Sequence, residues 1–220
     1  MASMADVFHR SFFLPGPAGR LEALLWTAAV AHPDFVALVC HPHPLFGGTM
    51  HNKVVYQVAR ALHRRGAAVL RFNFRGAGMS QGEHDQGRGE QEDVRVALDY
   101  LAREYREKPI LLAGFSFGSW VGLRVGCEDD RVSRLIALGF PANHLDASYL
   151  RQCVKPKLFL QGGSDPFGSR ENLEALFAEL PEPKRLVFIE GADHFFAGHL
   201  DEVGAQIGAW LDRSLRVGLE

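Results

Sequence analysis

An α/β fold built on a mostly parallel sheet is the class this sequence predicts, and three observations predict it. Short β-rich runs alternate with longer amphipathic ones along the chain, as repeated strand–helix units do. Several of the short runs, residues 35–40 and 110–115 among them, are continuously apolar, as strands covered on both faces must be. The chain opens, by contrast, with two β-rich runs on either side of Pro15-Gly16-Pro17-Ala18-Gly19, a turn dense in chain-reversing residues.

Taken in order, residues 7–14 and 21–28 pair as an antiparallel hairpin, and 35–40 is the third strand. Asn52 caps a helix over 53–65, where Val54, Val55, Val58, Ala61 and Leu62 recur at helical spacing and Gly66 stops the run. A strand over 67–74 leads into a glycine-rich loop over 75–89 and a helix from about 90 to 105. The strand 110–115 precedes a short helix over 117–126, and strands follow at 135–140 and 157–161. A helix over 171–180, a strand at 186–189 and a helix over 197–215 complete an eight-stranded sheet. Right-handed crossovers then put helices on both faces, and chemistry belongs in the loops at the carboxyl ends of the strands.

The length of 220 residues fits a single domain over residues 1–220. With 24 basic and 26 acidic residues the formal net charge is -2, so no basic field exists to hold nucleic acid, and no such partner is expected. A hydrophobic content of 47% with 23% charged residues argues against disorder. Cys40, Cys127 and Cys153 are widely spaced and form no CxxC motif, which fits buried thiols in a reducing cytoplasm. Residues 1–10 lack the apolar core of a signal peptide, and the longest apolar stretch, 23–31, is far below the roughly 18 residues of a membrane span. A cytoplasmic, membrane-free protein is the expectation.

The chemistry concentrates at Gly114-Phe115-Ser116-Phe117-Gly118, a G-x-S-x-G motif after an apolar strand and before a helix. That context demands a sharp reversal that leaves the Ser116 hydroxyl above the sheet, and the two glycines give the turn room. The backbone N–H of Phe117, at a helix N-terminus, faces a developing oxyanion. A serine is inert at neutral pH without a base and an orienting acid, expected in the chain order Ser, Asp, His. Asp165, in Gly162-Gly163-Ser164-Asp165, and His194, in Gly191-Ala192-Asp193-His194, both follow strands and fit that order. Asp193 is the rival acid, and His199 reads as a surface residue on the final helix.

These segments together resemble the α/β-hydrolase superfamily over nearly the whole chain. His41-Pro42-His43-Pro44-Leu45-Phe46-Gly47-Gly48 and Arg71-Phe72-Asn73-Phe74-Arg75-Gly76 are similar to the small capless bacterial hydrolases with an HPHP-x-x-GG element. The resemblance implies a serine hydrolase of small carboxylic esters or thioesters, working through Ser116, His194 and Asp165, with no metal or cofactor and as a monomer or homodimer. It also implies a second oxyanion donor in the HPHP loop. Here the sequence departs from the superfamily's HG pattern: Pro42 and Pro44 have no N–H, leaving Leu45, favoured, and His43.

Other readings of the same residues remain. His41 and His43 form an HxH pair, but no acidic residue accompanies them at zinc-ligand spacing. The G-x-G of the loop 75–82 lacks the G-K-[ST] of a phosphate cradle and reads as structural, with Arg75 paired to a carboxylate. Of 16 phenylalanines, Phe46, Phe167 and Phe195 are placed to wall an acyl pocket. The connection 141–156 is too short to fold a cap with its own core. The rival function is a non-catalytic binding or assembly module on the same fold.

Overall fold

The computed structural model describes residues 7–28 and 33–216. Strands β1 (Val7–Gly16) and β2 (Gly19–Ala28) form the expected hairpin, but their ladder runs on to pair Gly16 with Gly19, so Pro17-Ala18 alone reverses the chain. Glycine is required at both ends of so tight a reversal. Gly19 has φ +118°, and a Cβ on Gly16 would lie 2.7 Å from the Gly19 carbonyl oxygen.

The remaining elements are β3 (Val36–Cys40), α1 (Lys53–His63), β4 (Ala68–Phe72), α2 (Arg88–Glu104), β5 (Ile110–Phe115) and α3 (Phe117–Glu128). After them come β6 (Val132–Leu138), β7 (Lys157–Gly162), α4 (Arg170–Glu179), β8 (Lys184–Ile189) and α5 (Leu200–Arg216). All eight strands form one sheet in the order β1-β2-β4-β3-β5-β6-β7-β8. The hairpin joins antiparallel through β2 and β4, and the six later strands run parallel.

Period-two alternation along the central strands splits the core into two layers. Val36, Leu38 and Cys40 of β3 pack on one face with α2 and α3, while Ala37 and Val39 pack on the other with α1 and α5. Helices on both faces follow. Among the described residues no helix is long and apolar enough to cross a membrane.

Several ends differ from expectation, each for a local reason. β4 stops at Phe72 because the next residues are drawn out of the ladder: Asn73 Oδ1 accepts the Met50 N–H at 2.7 Å, and the Phe74 N–H donates to His41 Nε2 at 2.9 Å. β6 starts at Val132, where the ladder with β5 begins, rather than at Leu135. The last helix starts at Leu200, not Ala197, so His199 precedes it, because Asp193 folds the residues between into a turn. The connection 141–156 holds only a 3-10 turn, Ser148–Gln152, tied to α3 by the Trp120 indole N–H donating to the Asp146 carbonyl at 2.8 Å. Among the described residues no cap covers the carboxyl edge of the sheet.

Candidate active site

Four loops converge at that edge. The turn between β5 and α3 holds Ser116 at φ 54°, ψ -123°, a conformation costing about 1–3 kcal/mol for a residue with a side chain. Its glycines are sterically obligatory: a Cβ on Gly114 would lie 2.3 Å from the Gly118 carbonyl oxygen, and one on Gly118 would lie 2.3 Å from that of His41. Phe117 is the first residue of α3, so its N–H has no carbonyl within the helix to satisfy it.

The Ser116 hydroxyl lies 2.9 Å from His194 Nε2, and His194 Nδ1 lies 2.7 Å from Asp165 Oδ2. Sequence separations of 78 and 29 residues are closed by the loops after β8 and β7. The Asp165 carboxylate is wholly buried. Its Oδ1 accepts the Phe167 N–H at 2.8 Å, and Oδ2 also accepts from Gln161 Nε2 at 2.8 Å. Asp193 is turned away: its Oδ1 accepts the N–H groups of Phe195 and Ala197, both at 3.0 Å. The His194 ring packs against Phe115, Phe167 and Phe195 with centroids 4.6–5.2 Å apart.

Two positioning residues here escaped the sequence reading. Gln161, at the end of β7, braces Asp165 while its Oε1 accepts the Phe140 N–H at 2.9 Å. Gly139 sits at φ +53° with room for no side chain, since a Cβ would lie 3.0 Å from the His194 ring. Only the position of each at a strand end marked it in the sequence.

The HPHP loop departs from the expectation for Leu45. Its N–H donates to His43 Nδ1 at 3.3 Å, and its side chain is 69% exposed outside the cleft. The cause is a 3-10 turn over Pro44–Phe46, whose cap is the His43 side chain, so the Leu45 amide is spent on that ring. The His43 N–H, by contrast, has no hydrogen-bond partner among the described residues. His41 is fully buried, Nδ1 2.6 Å from the Pro42 carbonyl oxygen and Nε2 accepting from Phe74, so both ring nitrogens are engaged. Burial pulls its pKa down to about 3. Among the described residues no three His, Cys, Asp or Glu side chains gather as metal ligands.

Above Ser116 lies an open cleft of about 570 Å³. Phe46, Phe167 and Phe195 all line it, at 87%, 44% and 56% exposure. The facing wall carries His43, His84, Gln86 and Trp120. His84 Nδ1 lies 2.8 Å from Oε1 of Glu90, a carboxylate fully buried at the start of α2. That pair too was missed, although Glu90 three residues after Gly87 has capping-box spacing. Arg75 pairs with a carboxylate as expected, its Nη2 2.7 Å from Asp93 Oδ1, holding the glycine-rich loop against α2.

Comparison with known proteins matches this architecture. Residues 38–211 match the model of the alpha/beta hydrolase domain family. A solved alpha-beta serine hydrolase homologue from Coxiella burnetii is 36% identical, covering 91% of this chain and 96% of that one at a TM-score of 0.86. An a/b serine hydrolase without lid from Xanthomonas campestris is 32% identical over 96% of this chain and 97% of that one, with a TM-score of 0.87. The esterase domain of a Rhodothermus marinus protein is 25% identical over 94% and 98%, with a TM-score of 0.75. With its strained serine turn, its lidless parallel sheet and a family match over most of its length, the chain belongs to the alpha/beta hydrolase domain family.

Proposed function

We propose that this protein hydrolyses small carboxylic esters through an acyl-enzyme on Ser116. The observation that carries the reading is the unbroken relay Asp165–His194–Ser116, ending on a serine held in a strained turn. His194 Nε2 takes the hydroxyl proton as Oγ attacks the ester carbon, and Asp165 keeps the other ring proton on Nδ1. The N–H groups of Phe117 and His43 receive the oxyanion, the first at a helix N-terminus and the second without a competing partner. His194 then protonates the departing alkoxide, and a water repeats the cycle on the acyl-enzyme. A thioester enters the same steps with a thiolate leaving. Phe46, Phe167 and Phe195 give the acyl chain an apolar wall.

Support comes also from the serine hydrolase and esterase relatives. A binding module has no need of a strained serine aligned on a carboxylate-held imidazole, so the geometry favours turnover. Reaction with a fluorophosphonate probe followed by peptide mass spectrometry tests this. Labelling at Ser116 is expected; a folded protein that takes no label there would overturn the reading in favour of the binding module.

A further inference from the structure

We propose that Cys127 and Cys153 are an oxidation site, forming a reversible disulfide with each other when a peroxide reaches the protein. The site lies at the far end of α3 from Ser116, and the inference is independent of the ester-hydrolase reading above. Cys127 is in the last turn of α3, and Cys153 directly follows the 3-10 turn Ser148–Gln152. Their side chains share a hydrogen bond, thiol to thiol. Contacts on either side lace the same two segments together. Lys155 Nζ donates to the Gly126 carbonyl at 2.8 Å and also to that of Asp129, and the Tyr149 hydroxyl donates to the Trp120 carbonyl at 2.9 Å. Cys127 packs against the core layer that holds Cys153. Bond formation has only to draw two sulfurs already in contact to about 2.05 Å.

The surroundings give the two thiols different roles. Cys153 accepts the Cys127 S–H and the Lys155 N–H, with the Lys157 and Lys155 ammonium groups nearby; these hold its pKa below the ordinary thiol value against the opposing effect of burial. The same hydrogen bond, and then burial, push Cys127 up. The thiolate is the nucleophile, so Cys153 attacks first. Its sulfur takes one peroxide oxygen as the O–O bond breaks, giving a sulfenic acid and a hydroxide that is protonated to water. The Cys127 sulfur then attacks the Cys153 sulfur, the S–O bond breaks, and hydroxide leaves with the Cys127 proton as a second water. Two thiols lose two electrons in all, and one peroxide becomes two waters. Cys40 supplies the contrast: it is fully buried in the core, and burial alone acts on it, raising its pKa.

The test treats the reduced, folded protein with hydrogen peroxide, alkylates the thiols that are left after unfolding, and maps tryptic peptides by mass spectrometry. The expected product joins peptides 125–131 and 152–157, lighter than their sum by two hydrogens, and dithiothreitol should return both thiols. Cys40 should oxidise at least about tenfold more slowly, the difference in thiolate fraction for one pKa unit. Cys127→Ser removes the resolving thiol, so Cys153 should stop at the sulfenic acid and take up dimedone. Cys153→Ser should leave Cys127 as slow as Cys40. No linked peptide from the folded wild type, a linkage formed only between chains, or oxidation of Cys40 at the same rate would each overturn the proposal. Dimedone uptake by Cys127 in Cys153→Ser, with none by Cys153 in Cys127→Ser, would overturn the assigned order of attack. The wild-type reaction needs no variant, so it decides the pairing whether or not either serine variant folds.

Discussion

Two walls of one cleft are built on the same chemical pair, a buried carboxylate against an imidazole Nδ1. Asp165 and His194 stand on one side, 2.7 Å apart; Glu90 and His84 stand on the other, 2.8 Å apart. In both, the carboxylate also accepts backbone N–H groups and aromatic rings clamp the imidazole. The difference lies at Nε2. On the first wall that nitrogen meets a hydroxyl forced above the sheet by a strained turn; on the second it has no hydrogen-bond partner among the described residues. At His194 the hydrogen-bonded carboxylate fixes the tautomer, and what such a histidine is used for depends on the third group placed before it.

Breaking the first wall should give the largest effects. Ser116→Ala is expected to lower kcat at least about a thousandfold with the fold intact. Asp165→Asn should cost roughly a thousand- to ten-thousandfold, because the amide no longer enforces the proton on Nδ1 while the aromatic clamp still holds the ring. Steady-state hydrolysis of a p-nitrophenyl ester measures both. If Asp165→Asn were as active as the wild type, the carboxylate would not orient the base.

The glycines sharpen the contrast through stability. A Cβ on Gly118 meets carbonyl oxygens of His41 and Cys40 at 2.3 and 2.6 Å, which are backbone and cannot yield. A Cβ on Gly87, at φ +90° before α2, meets the far edge of the Trp120 ring at 2.3 Å, a side chain rather than backbone. Gly118→Ala should therefore cost about 3 kcal/mol or more and Gly87→Ala about 1–2 kcal/mol, read from urea midpoints at constant slope. Equal costs would mean that the serine turn is looser than its geometry indicates.

His41 shows what becomes of an imidazole that has neither a carboxylate nor water. Its folded pKa of about 3 lies below the ordinary value of 6.5, so between those limits the unfolded chain binds a proton that the folded one refuses. Stability from this group is fully present above pH 6.5 and is lost as pH falls towards 3, by up to about 1.4 kcal/mol per pH unit. Urea unfolding at a series of pH values in that window measures it. His41→Gln should flatten the acid limb, and an unchanged slope in the variant would assign the acid loss to other groups.

The parallel half of the molecule was legible in the sequence because continuous apolar strands and G-x-S-x-G both depend on neighbours in the chain. Ser116 directly follows a strand, and Asp165 and His194 lie within a few residues of strand ends, which are readable from hydrophobic pattern. The second wall was not legible in the same way. His84 and Glu90 meet because the loop after β4 folds back on the start of α2, with Arg75 anchored to Asp93, and no periodicity encodes that fold-back. Leu45 was misplaced for a similar reason: the sequence excludes the prolines as donors, but only the 3-10 turn decides which remaining amide is spent on the His43 ring.

The smallest expected effect concerns the acyl chain, and it depends on the openness of the cleft. Phe46, Phe167 and Phe195 line the cleft but keep 87%, 44% and 56% of their surface in solvent, and the connection 141–156 adds no cap above them. A methylene laid on such a surface stays half wetted, so it gains only part of the roughly 0.8 kcal/mol that full burial would give. Each added carbon should then raise kcat/KM by less than about fourfold, which is what 0.8 kcal/mol corresponds to, and the gain should vanish once the chain passes the aromatic rim. A p-nitrophenyl ester series from acetate to palmitate, kept below the micellar concentration, measures this. The Phe46→Ala variant should lower the gain per carbon only slightly, because a ring so exposed contributes little dry surface. A steady climb to the longest chains, or a jump in rate when micelles form, would mean that the cleft closes around its substrate. The wall of phenylalanines would then be one side of a closed pocket.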